Sequence, residues 1–478
     1  MKVLSLIVAV VFGAAPAAIG QSLPDLGDVS QSELSPQLER QLGENIMREI
    51  RADRTYSDDA EVTDYLNTLG YRLVAASADS RQEFTFFLIL DPQVNAFALP
   101  GGFVGVNSGL ILTAQSESEL AGVLSHEVAH VTQRHMARML AQQKQAQVIS
   151  LAALAVAILA ARSNSQISQA AIAGSQASFI QSSLNYTRDH EREADRVGFQ
   201  VLERAGFDVQ AMAAFFERMQ RSTRYYETNA PAYLRTHPVT YERIADMQNR
   251  AQNLPYRQVA DSLDFQLMRA KIKATQDSPQ EALAFFEESL GERKYVSEAA
   301  TRYGLVSALL RVKSYARAGK ELQTLRTAVP GNAAVDALTA RYYRATGDTA
   351  AALQTYRDGL KNHPGYRALV YDYAELLLAS RQPGEALKLV ESRLQYSASD
   401  YRLYELQAKA YAALDKRLPQ HRALAEAYYR VGNVKGAIEQ LLLAQKSGDG
   451  DFYQQSSVDA RLRELRTLEK ETQRETKK

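Results

Sequence analysis

Two of the seven histidines in this 478-residue chain, His126 and His130, flank a glutamate in the run Ser125-His126-Glu127-Val128-Ala129-His130. On a helix, side chains four residues apart leave the same face one turn above each other, so both imidazoles can reach one cation at ~2.0–2.1 Å. Glu127 does not share that line. It can instead reach a water held at the cation, take its proton as the hydroxide attacks a carbonyl, and deliver that proton to a leaving amine. This is the chemistry of peptide-bond hydrolysis. Two ligands are not a site, so a third must come from elsewhere. The chain has no cysteine, which removes thiol catalysis, thiolate ligands and disulfides together and leaves His, Asp, Glu and water as donors.

The elements that must carry these groups are also visible. Ser116 and Glu119 have capping-box spacing and predict a helix through ESELAGVLSHEVAHVTQRH, with Leu120, Val123, Leu124, Val128 and Val131 as its apolar face. Further on, YTRDHEREADRVG from Tyr186 to Gly198 offers Glu191 and Asp195 at i, i+4 spacing, with Ala194 leaving room for a second helix. By composition alone this acidic helix reads equally well as a solvated face. EFTFFLIL, from Glu83 to Leu90, has the composition of a buried strand, and Asn95 to Ile111 alternates apolar residues around a Pro-Gly-Gly turn. The glycines at 101, 102, 105 and 109 lack both the Gly-x-Gly-x-x-Gly spacing and a following Lys-Ser or Lys-Thr, so nucleotide binding is set aside.

Glu-x-x-Ala-Asp following His-Glu-x-x-His resembles the gluzincin family that includes the HtpX-type and CAAX-prenyl zinc endopeptidases. By that resemblance His126, His130 and Glu191 hold one Zn2+ per chain, and Asp195 accepts the ring N–H of a ligand histidine, fixing its tautomer. Glu193 and His190 are expected outside the constellation. His237, in Thr236-His237-Pro238, matches a histidine that recurs after the third ligand, with two roles open: a donor to the tetrahedral oxyanion, or an imidazole occupying the fourth metal position and keeping the enzyme latent. Asn95 to Gly105 matches the family's edge strand, to which an extended peptide adds by main-chain hydrogen bonding. His135, His363 and His421 are expected at the surface or in packing.

The N-terminus reads as a secretory leader. Met1 and Lys2 precede an apolar run, and Ala18-Ile19-Gly20 supplies small residues for cleavage after Gly20. A second apolar stretch, Val148 to Ala161, is too short to span a bilayer and reads as a core or interfacial helix, the latter giving peripheral membrane contact. The small polar segment after it could serve as a lid.

Beyond about residue 260 the strand signals vanish. Ala318, Ala352 and Ala386 are 34 residues apart, and the same interval separates Ala340 from Ala374 and Pro330 from Pro364. That is the period of tetratricopeptide helix pairs, in which small residues let helices approach and large ones fill the grooves. The 51 residues from Ala386 to Ala437 predict one inserted helix, about Tyr401 to Lys416, and four or five units in all.

The expected fold is therefore an α+β gluzincin-like metallopeptidase domain, mainly helical with a small sheet, followed by an all-α tetratricopeptide-repeat solenoid. The boundaries read as a signal peptide at 1–20, the peptidase at 21–255 and the repeats at 260–478. Nearly the whole mature chain is similar to periplasmic gluzincin proteases with such an array. The resemblance implies a zinc metalloendopeptidase with chaperone-like behaviour that acts on unfolded or stalled outer-membrane β-barrel proteins. The array would hold the substrate or dock on the barrel-assembly machinery. Near-equal charge, 56 basic against 55 acidic residues, gives no nucleic-acid footprint. The alternative is a tetratricopeptide adaptor or chaperone with a latent metal site, against which Glu127 counts, because a structural zinc has no use for it.

Overall fold

The computed structural model describes residues 35–79, 82–142, 188–223, 231–255 and 257–475. The expected leader, the apolar stretch Val148 to Ala161 and the polar segment following it lie outside these residues.

Helix α1 (Pro36–Ala52) starts on a Ser35 cap with proline in its first turn. After the short strand β1 (Tyr56–Ser57), α2 (Ala60–Ala76) begins at Asp59, whose carboxylate accepts the N–H groups of Glu61 and Val62. The predicted strands follow as β2 (Thr85–Ile89), β3 (Ala96–Leu99) and β4 (Phe103–Asn107). The sheet order is β1-β2-β4-β3, with β2 parallel to β4 and β3 antiparallel to it. β3 is thus an edge strand. Its turn into β4 needs the positive φ of Gly101 (76°) and Gly102 (82°), which glycine adopts without a Cβ penalty. In the register Phe97 faces Gly105, and a Cβ there would stand 2.3 Å from the Phe97 ring.

α3 (Ser108–Thr113) leads into the motif helix α4 (Glu117–Thr132). Three features differ from expectation. The Ser116 hydroxyl does accept the Glu119 N–H, but the Glu119 carboxylate turns to the Gln115 N–H (2.6 Å) and to Arg218 instead of closing the box. The helix is buried all round, not on one face. It also stops short of His135, because Arg134 takes a left-handed φ of 52° and starts α5 (His135–Gln142) in a new direction. Then come α6 (Arg188–Arg204), α7 (Gln210–Thr223), α8 (Ala232–Thr236) and α9 (Tyr241–Gln252).

From there the described residues are helical only. The pairs are α10 (Leu263–Gln276) with α11 (Pro279–Gly291), α12 (Glu298–Arg311) with α13 (Tyr315–Ala328), and α14 (Ala333–Thr346) with α15 (Thr349–Asn362). α16 (Arg367–Ala379) follows with α17 (Pro383–Leu394); after the inserted α18 (Tyr401–Ala413) come α19 (Arg417–Arg430) with α20 (Val434–Lys446), and α21 (Phe452–Glu475) closes the chain. The repeat alanines 282, 318, 352, 386 and 437 all lie in the second helix of a pair and are fully buried, as close helix contact requires. α18 is the extra helix behind the 51-residue interval.

The array curls back onto α2. Glu61, fully buried, is gripped by Lys271 of α10 and by Arg341 of α14 (2.9 Å). Asp64 meets Arg367 of α16 (2.6 Å), and Asp58 accepts from Tyr401 of α18 (2.6 Å). Tyr65 of α2 packs on Phe265 of α10, so one apolar core runs from the sheet into the first repeats. No helix among the described residues is long and apolar enough to cross a membrane.

Candidate metal centre

α4 and α6 approach closely because α6 presents Ala194 and Gly198 to its neighbour. A Cβ at position 198 would lie 3.0 Å from the His126 nitrogen, close enough to push the two backbones apart by a few tenths of an ångström. This contact brings Glu191 against the two motif histidines. The His126 and His130 Nε2 atoms are 3.0 Å apart, and Glu191 oxygens stand 3.5 Å and 3.4 Å from them. His237 Nδ1 completes the group, 3.4 Å from His126 Nε2 and 2.9 Å from Glu191 Oε1. All four residues are buried, and their donor atoms lie within 4.8 Å of one another.

The spacing fits a cation. Ligands about 2.0–2.1 Å from a tetrahedral metal sit ~3.3 Å from one another. Five of the separations among them, counting both Glu191 oxygens, run from 2.9 to 3.5 Å and bracket that edge length. Both Glu127 oxygens also complete no hydrogen bond despite full burial, an arrangement that without a partner ion is costly.

Two carboxylates and an arginine hold the arrangement. His126 Nδ1 stands 3.1 Å from Asp195 Oδ1, which leaves Nε2 for the cluster. Arg243 of α9 grips Asp195 with two nitrogens (2.6 and 2.8 Å), reaches Glu191 Oε2 (2.7 Å) and donates to the Pro238 carbonyl (2.7 Å). Burial by itself would raise the Asp195 carboxyl, but the Arg243 bonds outweigh it and hold it below the usual range. For Glu191 burial is likewise outweighed, by the His237, His126 and His130 rings, and its pKa is well below normal. Burial would lower the His126 pKa, yet hydrogen bonds to Asp195 and Glu191 lift it to about 9.

Glu127 is different. Burial raises its pKa, only partly offset by the His237 and His126 rings and by the Ala98 backbone on the edge strand. His237, the C-cap of α8, lies between the two carboxylates: Nδ1 faces Glu191, and Nε2 is 3.6 Å from Glu127 Oε1. Its ring stacks on Tyr233 at 4.8 Å between centroids.

The residues singled out from the sequence thus meet at one place: His126, Glu127, His130, Glu191, Asp195 and His237. Others were missed. Arg243 belongs to no motif and reaches the site only through the packing of α9 on α6. His135, expected at the surface or in packing, is fully buried with Nδ1 2.9 Å from His130 Nδ1. Glu193 and His190, expected outside the constellation, flank it: Glu193 meets His135 Nε2 at 3.1 Å, and His190 stacks on its ring. An unbroken helix would have carried His135 off the His130 face; the left-handed Arg134 returns it. His363 and His421 lie in the array, bonded to the Gly331 carbonyl and to Gln440.

Residues 60–251 match the model of Peptidase family M48, and residues 343–410 match a tetratricopeptide-repeat model. The chain is 34% identical over 476 residues to the beta-barrel assembly-enhancing protease of Escherichia coli (strain K12), spanning 98% of this chain and 96% of that protein. The protease of the same name from Yersinia pestis is 32% identical over 447 residues, or 93% and 92% of the two chains. A mitochondrial metalloendopeptidase OMA1 of Schizosaccharomyces pombe is 30% identical over 223 residues, 45% of this chain and 62% of its own.

Proposed function

The chain belongs to the beta-barrel assembly-enhancing protease family, a group of metalloproteases, and from that premise we propose that it is a periplasmic zinc enzyme that degrades misassembled outer-membrane β-barrel proteins and assists the assembly of others. Residues 1–20 would direct export, 21–255 form the peptidase, and 260–478 form the repeat array that engages protein partners. The observation that carries the reading is the buried four-donor cluster with Glu127 beside it.

In this reading His126, His130 and Glu191 hold the cation, and His237 supplies the fourth donor in the resting arrangement. A bound zinc ion supplies Lewis acidity and lowers the pKa of water towards 7. Glu127 accepts the proton of the attacking water and returns it to the leaving nitrogen; its buried, raised-pKa carboxylate suits that double task. Asp195 and Arg243 keep His126 in the tautomer that leaves Nε2 free. β3, the edge strand among the described residues, would take an extended peptide by main-chain hydrogen bonding instead of reading side chains, which suits substrates whose shared property is strands left unpaired. His237 and the segment from Val148 to Asn185, which lies outside the described residues, are the candidates for restraining cleavage until such a substrate arrives.

The test is cleavage of an unfolded outer-membrane β-barrel protein by the purified mature chain with zinc, wild type against Glu127→Gln. The wild type should cut, and the variant should lose about 10²–10⁴-fold in rate while still binding the metal. Equal cutting by both would remove Glu127 from the mechanism. Substrate binding with no cutting by either would favour the latent adaptor.

A further inference from the structure

The two motif histidines are supported from opposite sides, and only one support was foreseen. His126 backs onto Asp195 and Arg243. His130 backs onto a longer chain that ends in the same chemistry: His130 Nδ1 to His135 Nδ1 (2.9 Å), His135 Nε2 to Glu193 Oε2 (3.1 Å), and Glu193 Oε2 to Arg138 (2.9 Å).

The proton positions follow from the contacts. His130 turns Nε2 to the donor cluster, so its Nδ1 carries the hydrogen. His135 Nδ1 must then accept, which puts the His135 hydrogen on Nε2, facing the Glu193 carboxylate. One tautomer of each ring satisfies every link, and the arginine at the end keeps Glu193 an acceptor. The fold commits backbone to this geometry. Arg134 is held at φ 52°, a left-handed region that non-glycine residues enter only when the surroundings enforce it, and its side chain is tied to Glu39 (3.2 Å). That turn swings His135 back beneath His130. His190, on the same helix as Glu191, stacks on the His135 ring with centroids 4.6 Å apart and planes 16° apart, fixing its plane.

We propose that His135 is a positioning residue of the metal centre: with Glu193 and Arg138 it locks the Nδ1–H tautomer and ring plane of His130 and strengthens that imidazole as a donor. The inference rests on the metal-centre reading above. It adds a second carboxylate–arginine anchor, reached through an intervening histidine.

The experiment is zinc affinity of the purified full chain, measured by competition with a chromophoric chelator, for wild type, His135→Phe, His135→Asn and Glu193→Ala, together with the melting temperature of each metal-free protein. Phe keeps the stacking bulk but has no acceptor, and its affinity should fall about 10–100-fold. Asn presents an amide oxygen where Nδ1 stood and should recover most of that loss. Glu193→Ala, at a partly exposed position that threatens folding least, should lose affinity in the same direction by a smaller factor. Wild-type affinity in both Phe and Ala variants would overturn the proposal. So would equal losses in Phe and Asn, which would mark a packing role. A wild type that binds no zinc would overturn the metal centre itself, a failure distinct from that of His135.

Discussion

Replacing Arg243 with methionine tests whether the site is held by charge or only by packing. Methionine keeps most of the apolar stem and removes the guanidinium, leaving Asp195 and Glu191 buried without their shared cation. The side chains of all three residues are 3% exposed or less, so water cannot take over. Four contacts vanish: two to Asp195, one to Glu191 and one to the Pro238 carbonyl beside His237. Breaking a buried pair by removing one partner costs about 3–5 kcal/mol. In the metal-free chain that corresponds to roughly two to nearly four decades in the local opening constant. Amide hydrogen exchange of the metal-free protein, read at α6 and α9, should show that acceleration while the distant α19 and α20 exchange as in wild type. The sign with pH is also set. Without Arg243 only His126 is left to oppose burial, so the Asp195 pKa moves up from its wild-type position and the penalty should shrink as pH falls and the carboxyl takes up a proton. Lysine at 243 should fall between, since a point charge cannot grip three carboxylate oxygens at once. Less than a tenfold change at α6 and α9 at neutral pH would refute the reasoning.

Two further outcomes are expected. His237→Ala should raise the rate of cleavage of an unfolded protein, because Nδ1 sits within the donor set; a fall would assign the histidine to the oxyanion, and an unchanged rate would remove both roles. The Glu61 contacts should make the docking of the array on α2 acid-sensitive. Burial opposes its ionisation, but Arg341 and Lys271 outweigh it and hold the carboxyl at about 2 against an ordinary 4.5, so its contribution is complete above pH 4.5 and is lost as pH falls towards 2. That difference corresponds to roughly 3 kcal/mol, and Glu61→Gln should flatten this limb of an acid titration followed by exchange at α2 and α14, whereas an identical limb would contradict it.

Legibility differed from residue to residue for physical reasons. His126, Glu127 and His130 could be read because their relation is local: one helical turn sets it, whatever surrounds the helix. β2 and the β3–β4 hairpin were legible for the same reason, through β-rich composition and a turn only glycine can make. The array was legible by repetition, since each helix pair must meet its neighbour through the same small residues. Glu191, Asp195 and His237 needed more. Their spacing alone allowed a solvated acidic helix and a loop histidine, and it was the resemblance to a known motif order that pointed to them.

What the sequence by itself determined, then, is everything that depends on short-range geometry: which residues share a helix face, where strands turn, and how long a repeat is. Tertiary structure alone decided the rest. Arg243 reaches Asp195 across 48 residues of chain, and Lys271 and Arg341 reach Glu61 across 210 and 280, distances over which no periodicity carries information. His135 is the sharpest case. It lies five residues from His130, yet a regular helix points it away, and a single left-handed residue, paid for by packing and by a bond to Glu39, brings it beneath the ring it supports. Buried charges find partners because burial without them is so costly, and which partner is within reach is a property of the folded chain alone.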